Sequence, residues 1–490
     1  MFISKKQGFD VHEYKVVTTD NHELKLHRLI HPSDQPNKGP IAGKKKPYLL
    51  LHGLIGSSAS FVRNVDQHSR GTRETFETAQ LIDDILTHRE GQYEHHWRST
   101  ADKFNAAFQG DTSRSHEALS FGQKLFKQWP KAQFGSQNYI DFDGDSLNFG
   151  REFRQAYRKF ELPEASKGHI SNSLAFTLSN FGYDVWLINL RGNQYSRSHN
   201  GRLTSDKAEF WDFNIDTLIR EDLLAAINLV KRATKWPSPM GFISYSYSSV
   251  YILGLLTKFP TYQESLQPVI MIAPTLLTGS ATNLKFKMLM KVLIATLVSQ
   301  NGPFPAIGRA KSDKITRLIC QLPVASKLCR LIETLLYGRV KGVGDLIFDN
   351  KQGELVRRDV DCGQTSTAVL RQIVENLSQE SIHPKYLPYV EARNKLIRGG
   401  RLRRSVMLVR SEWDEIATLN GVDRIRDSAL KLLTLVDFVV KETKFDHTDF
   451  LFSKRNQFLV NGEIARLASL FDFMIDRKSA NEPTVGSRGY

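Results

Sequence analysis

The chain has 490 residues, 41% of them hydrophobic and 24% charged, which leaves room for a large core and excludes global disorder. At about 150 residues per domain the length allows roughly three domains. A net charge of +15 draws the chain toward anionic surfaces, but no Lys/Arg block interleaved with aromatics is present, so a lipid interface is the expected partner and nucleic acid is not.

No apolar h-region follows Met1-Phe2-Ile3-Ser4-Lys5-Lys6-Gln7, so these residues read as no signal peptide. Residues 11–17 and 24–30 alternate as two strands around an Asp20-Asn21 turn. After a Pro/Gly/Lys loop at 32–46, Tyr48-Leu49-Leu50-Leu51-His52-Gly53 reads as a strand buried on both faces. Residues 62–170 are dominated by charged and amide side chains, with helices predicted at Phe76–Leu86 and Phe121–Trp129 and the rest loop-rich and partly disordered. His95-His96 lack acidic or Cys partners at ligand spacing, so no metal is expected there.

Regular structure resumes with a helix from Asn172 that ends near Gly182, then the strand Asp184–Asn189. The run Asp216–Ala233 has helical periodicity, Gly241–Tyr245 leads into Ser246 and an apolar helix, and Pro268–Ala273 is another buried strand. Residues 278–400 hold helical stretches, including Met288–Val298, which is too short to span a bilayer. Strands at Ser405–Val409 and Leu435–Val440 and a helix at about Gly462–Met474 complete the pattern. Strands alternating with helices predict a mostly parallel sheet covered on both faces.

Ser246 lies in Ser244-Tyr245-Ser246-Tyr247-Ser248, between a buried strand and a helix. That is the setting of a nucleophile elbow, whose sharp turn lifts a hydroxyl above the sheet at a helix N-terminus. Alone, such a pentapeptide is more often structural; its surroundings reverse that reading. His52-Gly53-Leu54 ends an upstream strand where an oxyanion donor belongs, and the N–H groups of Leu54 and Tyr247 are the candidate pair. Asp414 and His447 each follow a later strand, in the chain order Ser, Asp, His used by α/β-hydrolases. A serine hydroxyl needs a neighbouring base; His447 would take its proton and Asp414 would fix the imidazole tautomer. Glu412, Glu415, Asp446 and Asp449 compete for the carboxylate role, with Asp449 also placed to hold the His447 loop.

These residues resemble the acid lipase family of gastric, lysosomal and insect neutral-lipid lipases. The resemblance is carried by Gly8–Glu13, Leu51-His52-Gly53-Leu54, Tyr183–Leu187, Arg191-Gly192-Asn193, Glu209–Phe213 and His447-Thr448-Asp449-Phe450. It implies hydrolysis of triacylglycerols or steryl esters, a helical cap and lid over the serine, no cofactor, and a secreted or lysosomal setting, whereas residues 1–7 read either as the start of a cytosolic protein or as an incomplete N-terminus. The chain departs from the family at the elbow, where serines replace both glycines, and at 62–170, which interrupts a connection short in the family. That stretch reads either as a tolerated surface expansion or as a shaper of substrate access. Cys320 and Cys329 are spaced like the family's cap disulfide; free buried thiols are the alternative, and three cysteines with no CxxC exclude a disulfide scaffold.

The expectation is therefore an α/β chain with an α/β-hydrolase fold. Residues 1–61 open the core, 62–170 form the insertion and 171–277 carry the elbow; 278–400 form the cap, 401–478 carry Asp414 and His447, and 479–490 are a tail. The expected activity is lipid ester hydrolysis at a transiently contacted interface, without a transmembrane segment. A lipase-like lipid-binding protein with impaired catalysis, and an acyltransferase using the same three residues, are the alternatives.

Overall fold

The computed structural model describes residues 8–34, 45–54, 56–62, 139–141, 148–160, 170–201, 203–275, 365–378, 405–427, 434–442, 445–453 and 456–481. The helices expected at Phe76–Leu86 and Phe121–Trp129, most of the stretch 278–400 expected to form a cap, and all three cysteines lie outside these residues.

The core is a sheet of strands β1 (Asp10–Val17), β2 (His22–Ile30), β3 (Pro47–Leu51), β4 (Tyr139–Asp141), β5 (Asp184–Ile188), β6 (Ser198–His199), β7 (Met240–Tyr245), β8 (Leu266–Ile272), β9 (Val406–Ser411) and β10 (Thr434–Val440). Their spatial order is β1-β2-β5-β3-β7-β8-β9-β10-β4, with β6 beside β2. Strands β5, β3, β7, β8, β9 and β10 run parallel. Each of β3, β5, β7, β9 and β10 is buried along its whole length, as a sheet with both faces covered requires. At the first edge β1 and β2 form an antiparallel hairpin whose turn places Asn21 at φ 66°, a left-handed position that asparagine tolerates. This is the α/β-hydrolase sheet that the sequence predicts.

Helix α1 spans Asn148–Lys159, α2 Leu174–Asn180, α3 Leu224–Thr234, α4 Ser248–Lys258, α5 Thr367–Ser378 and α6 Gly462–Asn481. Ser173 caps α2 by accepting the Phe176 N–H. The helix ends where Gly182 turns to φ 88°, with Gly182 N–H donating to Ser179 O and Tyr183 N–H to Leu178 O. Helix α4 is buried on nearly every side between sheet and neighbouring helices. Helix α6 continues past the expected Met474 to Asn481. Among the described residues no helix is long and apolar enough to cross a membrane.

Two elements within the 62–170 stretch join this core. β4 pairs antiparallel with β10 and closes the far edge of the sheet. Helix α1 buries Phe153 and packs Ala156 and Tyr157 against the core. Tyr157 donates to Glu463 at 2.8 Å, and Arg466 lies over the Tyr157 ring and donates to its carbonyl. In α5, Val369, Leu370 and Ile373 are buried, and Gln372 accepts the Ile215 N–H at 2.8 Å.

β3 and β7 meet closely because Gly241 leaves space for the buried Tyr48 ring. A Cβ at Gly241 would lie 2.3 Å from Tyr48 Cε1. Gly241→Ala is therefore expected to destabilise the fold by about 1–3 kcal/mol in urea unfolding; an unchanged midpoint would contradict this packing.

Candidate active site

The site is built where β7 ends. Ser246 follows Tyr245 with φ 59°, a left-handed backbone that costs a side-chain-bearing residue roughly 1–2 kcal/mol. Its surroundings hold it there: Ser246 N–H donates to Ile272 O at 2.9 Å, and Ser246 O accepts from Ser249 N and Thr275 N. Ser246 Oγ faces His447 Nε2 at 2.7 Å, and His447 Nδ1 lies 2.8 Å from Asp414 Oδ2. The Asp414 and His447 side chains are 0% and 5% exposed.

Asp414 is held by its own loop, its Oδ1 accepting from Ile416 N at 2.8 Å and Ala417 N at 2.7 Å. Of the competing carboxylates, Glu412 and Glu415 are exposed, Glu412 beside Lys441. Asp446 accepts the His447 N–H at 2.7 Å and the Glu415 N–H at 3.2 Å, which ties the two loops together. Asp449 accepts the Asp446 N–H at 2.8 Å and so holds the histidine turn from below.

The two serines that replace the elbow glycines are both hydrogen-bonded. Ser248 Oγ accepts the Tyr245 N–H at 2.9 Å and lies 2.7 Å from Tyr245 O and 3.1 Å from Leu51 O. Ser244 Oγ lies 3.4 Å from Ser249 Oγ. The extra CH₂OH groups therefore link the turn to β3 and α4. Close approach is retained on the opposite side, where a Cβ on Gly53 would sit 3.3 Å from Ser246 Cβ. Leu54 follows Gly53 in the chain, and Tyr247 immediately precedes α4.

A buried polar network fixes the Gly53-Leu54 turn, with residues whose positions the sequence did not reveal. His52 Nδ1–H donates to Gly53 O at 2.7 Å, while its Nε2 accepts from Leu190 N and Asn193 Nδ2, each at 3.3 Å. Asn189 Oδ1 accepts from Asn193 Nδ2 and from Ser58 N. The Arg191-Gly192-Asn193 turn is anchored in turn by Arg191. Arg191 Nε donates to Asp222 at 2.6 Å, its backbone N–H donates to the same carboxylate at 2.8 Å, and its two Nη atoms bond Asp20. Burial opposes the charged Asp20, yet bonds from His22 and Arg191 outweigh it and hold the carboxyl well below its ordinary range. Fully buried Asp222 is pushed upward by desolvation, against the pull of Arg191. The sequence signal for this network is Arg191-Gly192-Asn193 itself, one of the stretches that carry the resemblance to acid lipases.

Comparison with known proteins finds similarity to lipases over parts of the chain. Residues 1–65 match the model of a partial alpha/beta-hydrolase lipase region. Parts of the chain are similar to acid lipases. It is 36% identical over 105 residues to a probable lipase of Schizosaccharomyces pombe, covering 21% of this chain and 22% of that one. It is 35% identical over 104 residues to the gastric triacylglycerol lipase of Rattus norvegicus, covering 21% and 26%. It is 28% identical over 172 residues to the rat lysosomal acid lipase/cholesteryl ester hydrolase, covering 34% and 42%. The matched stretches thus span 22% to 42% of these relatives' own lengths. A Pyrococcus furiosus esterase aligns over 95% of this chain and 93% of its own, at 9% identity and a TM-score of 0.35, so the fold rests on the strand order and elbow described above.

Burial lowers the His52 pKa from 6.5 to about 4, so the native state holds this ring neutral. As pH falls from 6.5 to 4 the unfolded chain takes up a proton that the native chain refuses, and stability drops over that window by on the order of 3 kcal/mol. Urea unfolding between pH 7 and 4 is expected to show this decline, with a shallower slope for His52→Gln; equal slopes would contradict the assignment.

Proposed function

We propose that this chain is a serine hydrolase that cleaves carboxylic esters of lipids, with Ser246 as nucleophile, His447 as general base and acid, and Asp414 as the residue that orients the imidazole. The observation that supports this most is the continuous relay from Ser246 Oγ through His447 to Asp414, with contacts of 2.7 and 2.8 Å, at the carboxyl edge of a parallel sheet.

The geometry gives each group a task. Ser246 Oγ attacks the ester carbonyl carbon as His447 Nε2 takes its proton. The carbonyl π electrons move onto oxygen, and the N–H groups of Leu54 and Tyr247 bind the resulting oxyanion. The C–O bond to the alcohol then breaks, and His447 returns the proton to the leaving oxygen. Water repeats the sequence on the acyl-enzyme and releases the acid. Asp414 keeps the Nδ1–H in place and stabilises the imidazolium. The names of the rat relatives, a triacylglycerol lipase and a cholesteryl ester hydrolase, support neutral-lipid esters as the substrate class. The net charge of +15 suits transient adsorption to an anionic lipid surface.

Ser246→Ala is expected to lower kcat/KM on short- and long-chain acyl esters by about 10⁴-fold or more, and Asp414→Asn by about 10³- to 10⁴-fold, with circular dichroism unchanged. Equal activity in Ser246→Ala and wild type would overturn the proposal. Product analysis with added sterol separates hydrolysis from transfer to an alcohol.

A further inference from the structure

The residue before the serine makes a second connection to the histidine. Tyr245 Oη–H donates to the backbone carbonyl of His447 at 2.9 Å. Its ring lies against the imidazole, with centroids 5.3 Å apart and planes tilted by 34°. Tyr245 is itself immobilised: its N–H donates to Ser248 Oγ, and Gly53 packs on its ring so closely that a Cβ there would lie 3.3 Å from Tyr245 Cδ1. The His447 backbone is thus gripped at both polar groups, its N–H by Asp446 and its C=O by Tyr245. Burial, reinforced by Asp414, Asp446 and Asp449, pushes the phenol well above its ordinary range, so the hydroxyl keeps its proton and remains a donor.

We infer that Tyr245 is a positioning residue for the reaction: its hydroxyl clamps the histidine loop to the elbow and keeps the imidazole within hydrogen-bonding distance of Ser246. The inference rests on the serine-hydrolase reading above. The phenol oxygen is engaged by a main-chain carbonyl, so Tyr245 acts through His447 and not on substrate. Reacting groups displaced by about 1 Å lose on the order of 10²-fold in rate.

Tyr245→Phe keeps the ring and removes the donor. Expected are a kcat lower by about 10- to 100-fold, a KM within about twofold, and fluorophosphonate labelling of Ser246 slowed by a similar factor. Deuterium uptake should rise in residues 445–453 and stay unchanged in 240–245. Replacing Tyr245 with 4-aminophenylalanine, which restores a donor, should recover most of kcat. Wild-type kcat and labelling in Tyr245→Phe would overturn the inference. If that variant does not fold, 4-aminophenylalanine and 4-methylphenylalanine at this position are compared, and equal kcat would overturn it. Activity retained by Ser246→Ala would instead defeat the serine-hydrolase reading; an inactive Ser246→Ala beside an unimpaired Tyr245→Phe would defeat only the role of Tyr245.

Discussion

The left-handed backbone of Ser246 is the constraint around which the rest of the molecule is organised. A residue with a side chain persists at such a φ only when its surroundings over-determine it. Here strand β8 accepts its N–H, Ser249 in α4 and Thr275 just after β8 donate to its carbonyl, and Gly53 leaves space beside its Cβ. The serines flanking the turn extend this hold, because their hydroxyls bond to β3, to Tyr245 and to α4. The sharp turn then projects the Ser246 hydroxyl from the sheet edge toward His447.

Two sets of buried polar contacts transmit order to the loops around that hydroxyl. On one side, Arg191 and its two aspartates hold the turn whose Asn193 bonds His52, and His52 bonds Gly53. A buried ion pair adds little net stability compared with apolar packing, but removal of one partner is costly because it strands a charge. The network therefore matters chiefly as a geometric specification of the Gly53-Leu54 backbone. Burial keeps His52 neutral, and the N–H donors at its Nε2 leave Nδ1 as the protonated nitrogen that meets Gly53 O.

On the other side, β9 and β10 deliver Asp414 and His447, and Arg410 binds Asp437 with two bonds of 2.8 and 2.7 Å that join these strands just before their loops begin. Asp446 and Asp449 then shape the histidine turn, and Tyr245 joins it to the elbow. β4 covers the outer edge of β10, while α1 packs on α6. The sequence stretch that begins beside the Gly53-Leu54 turn thus returns to the core next to the strand that carries the histidine.

Much of this was legible in the chain itself. Apolar runs such as Tyr48–Leu51 and Val406–Val409 declare buried parallel strands because burial on both faces leaves no polar alternation. Gly182 marks a helix end because glycine occupies the left-handed region at little cost. The placement of Ser246, Asp414 and His447, each just after a buried strand, follows from the same local signals. Other features depended on distant partners. β4 has three residues and so does not stand out from a polar stretch, whereas in α1 Phe149, Phe153 and Tyr157 recur at helical spacing and mark a face missing from the elements expected of this stretch. Asp414 is singled out by its place after a strand, but that its carboxylate meets the imidazole while Asp446 and Asp449 take backbone amides is set by the packing of two loops. The partners of Arg191 lie 171 and 31 residues away in the chain. Local propensity and periodicity act over a few neighbours and so determine elements and their order. Which polar group meets which depends on contacts between remote segments, and those exist only once the core has closed.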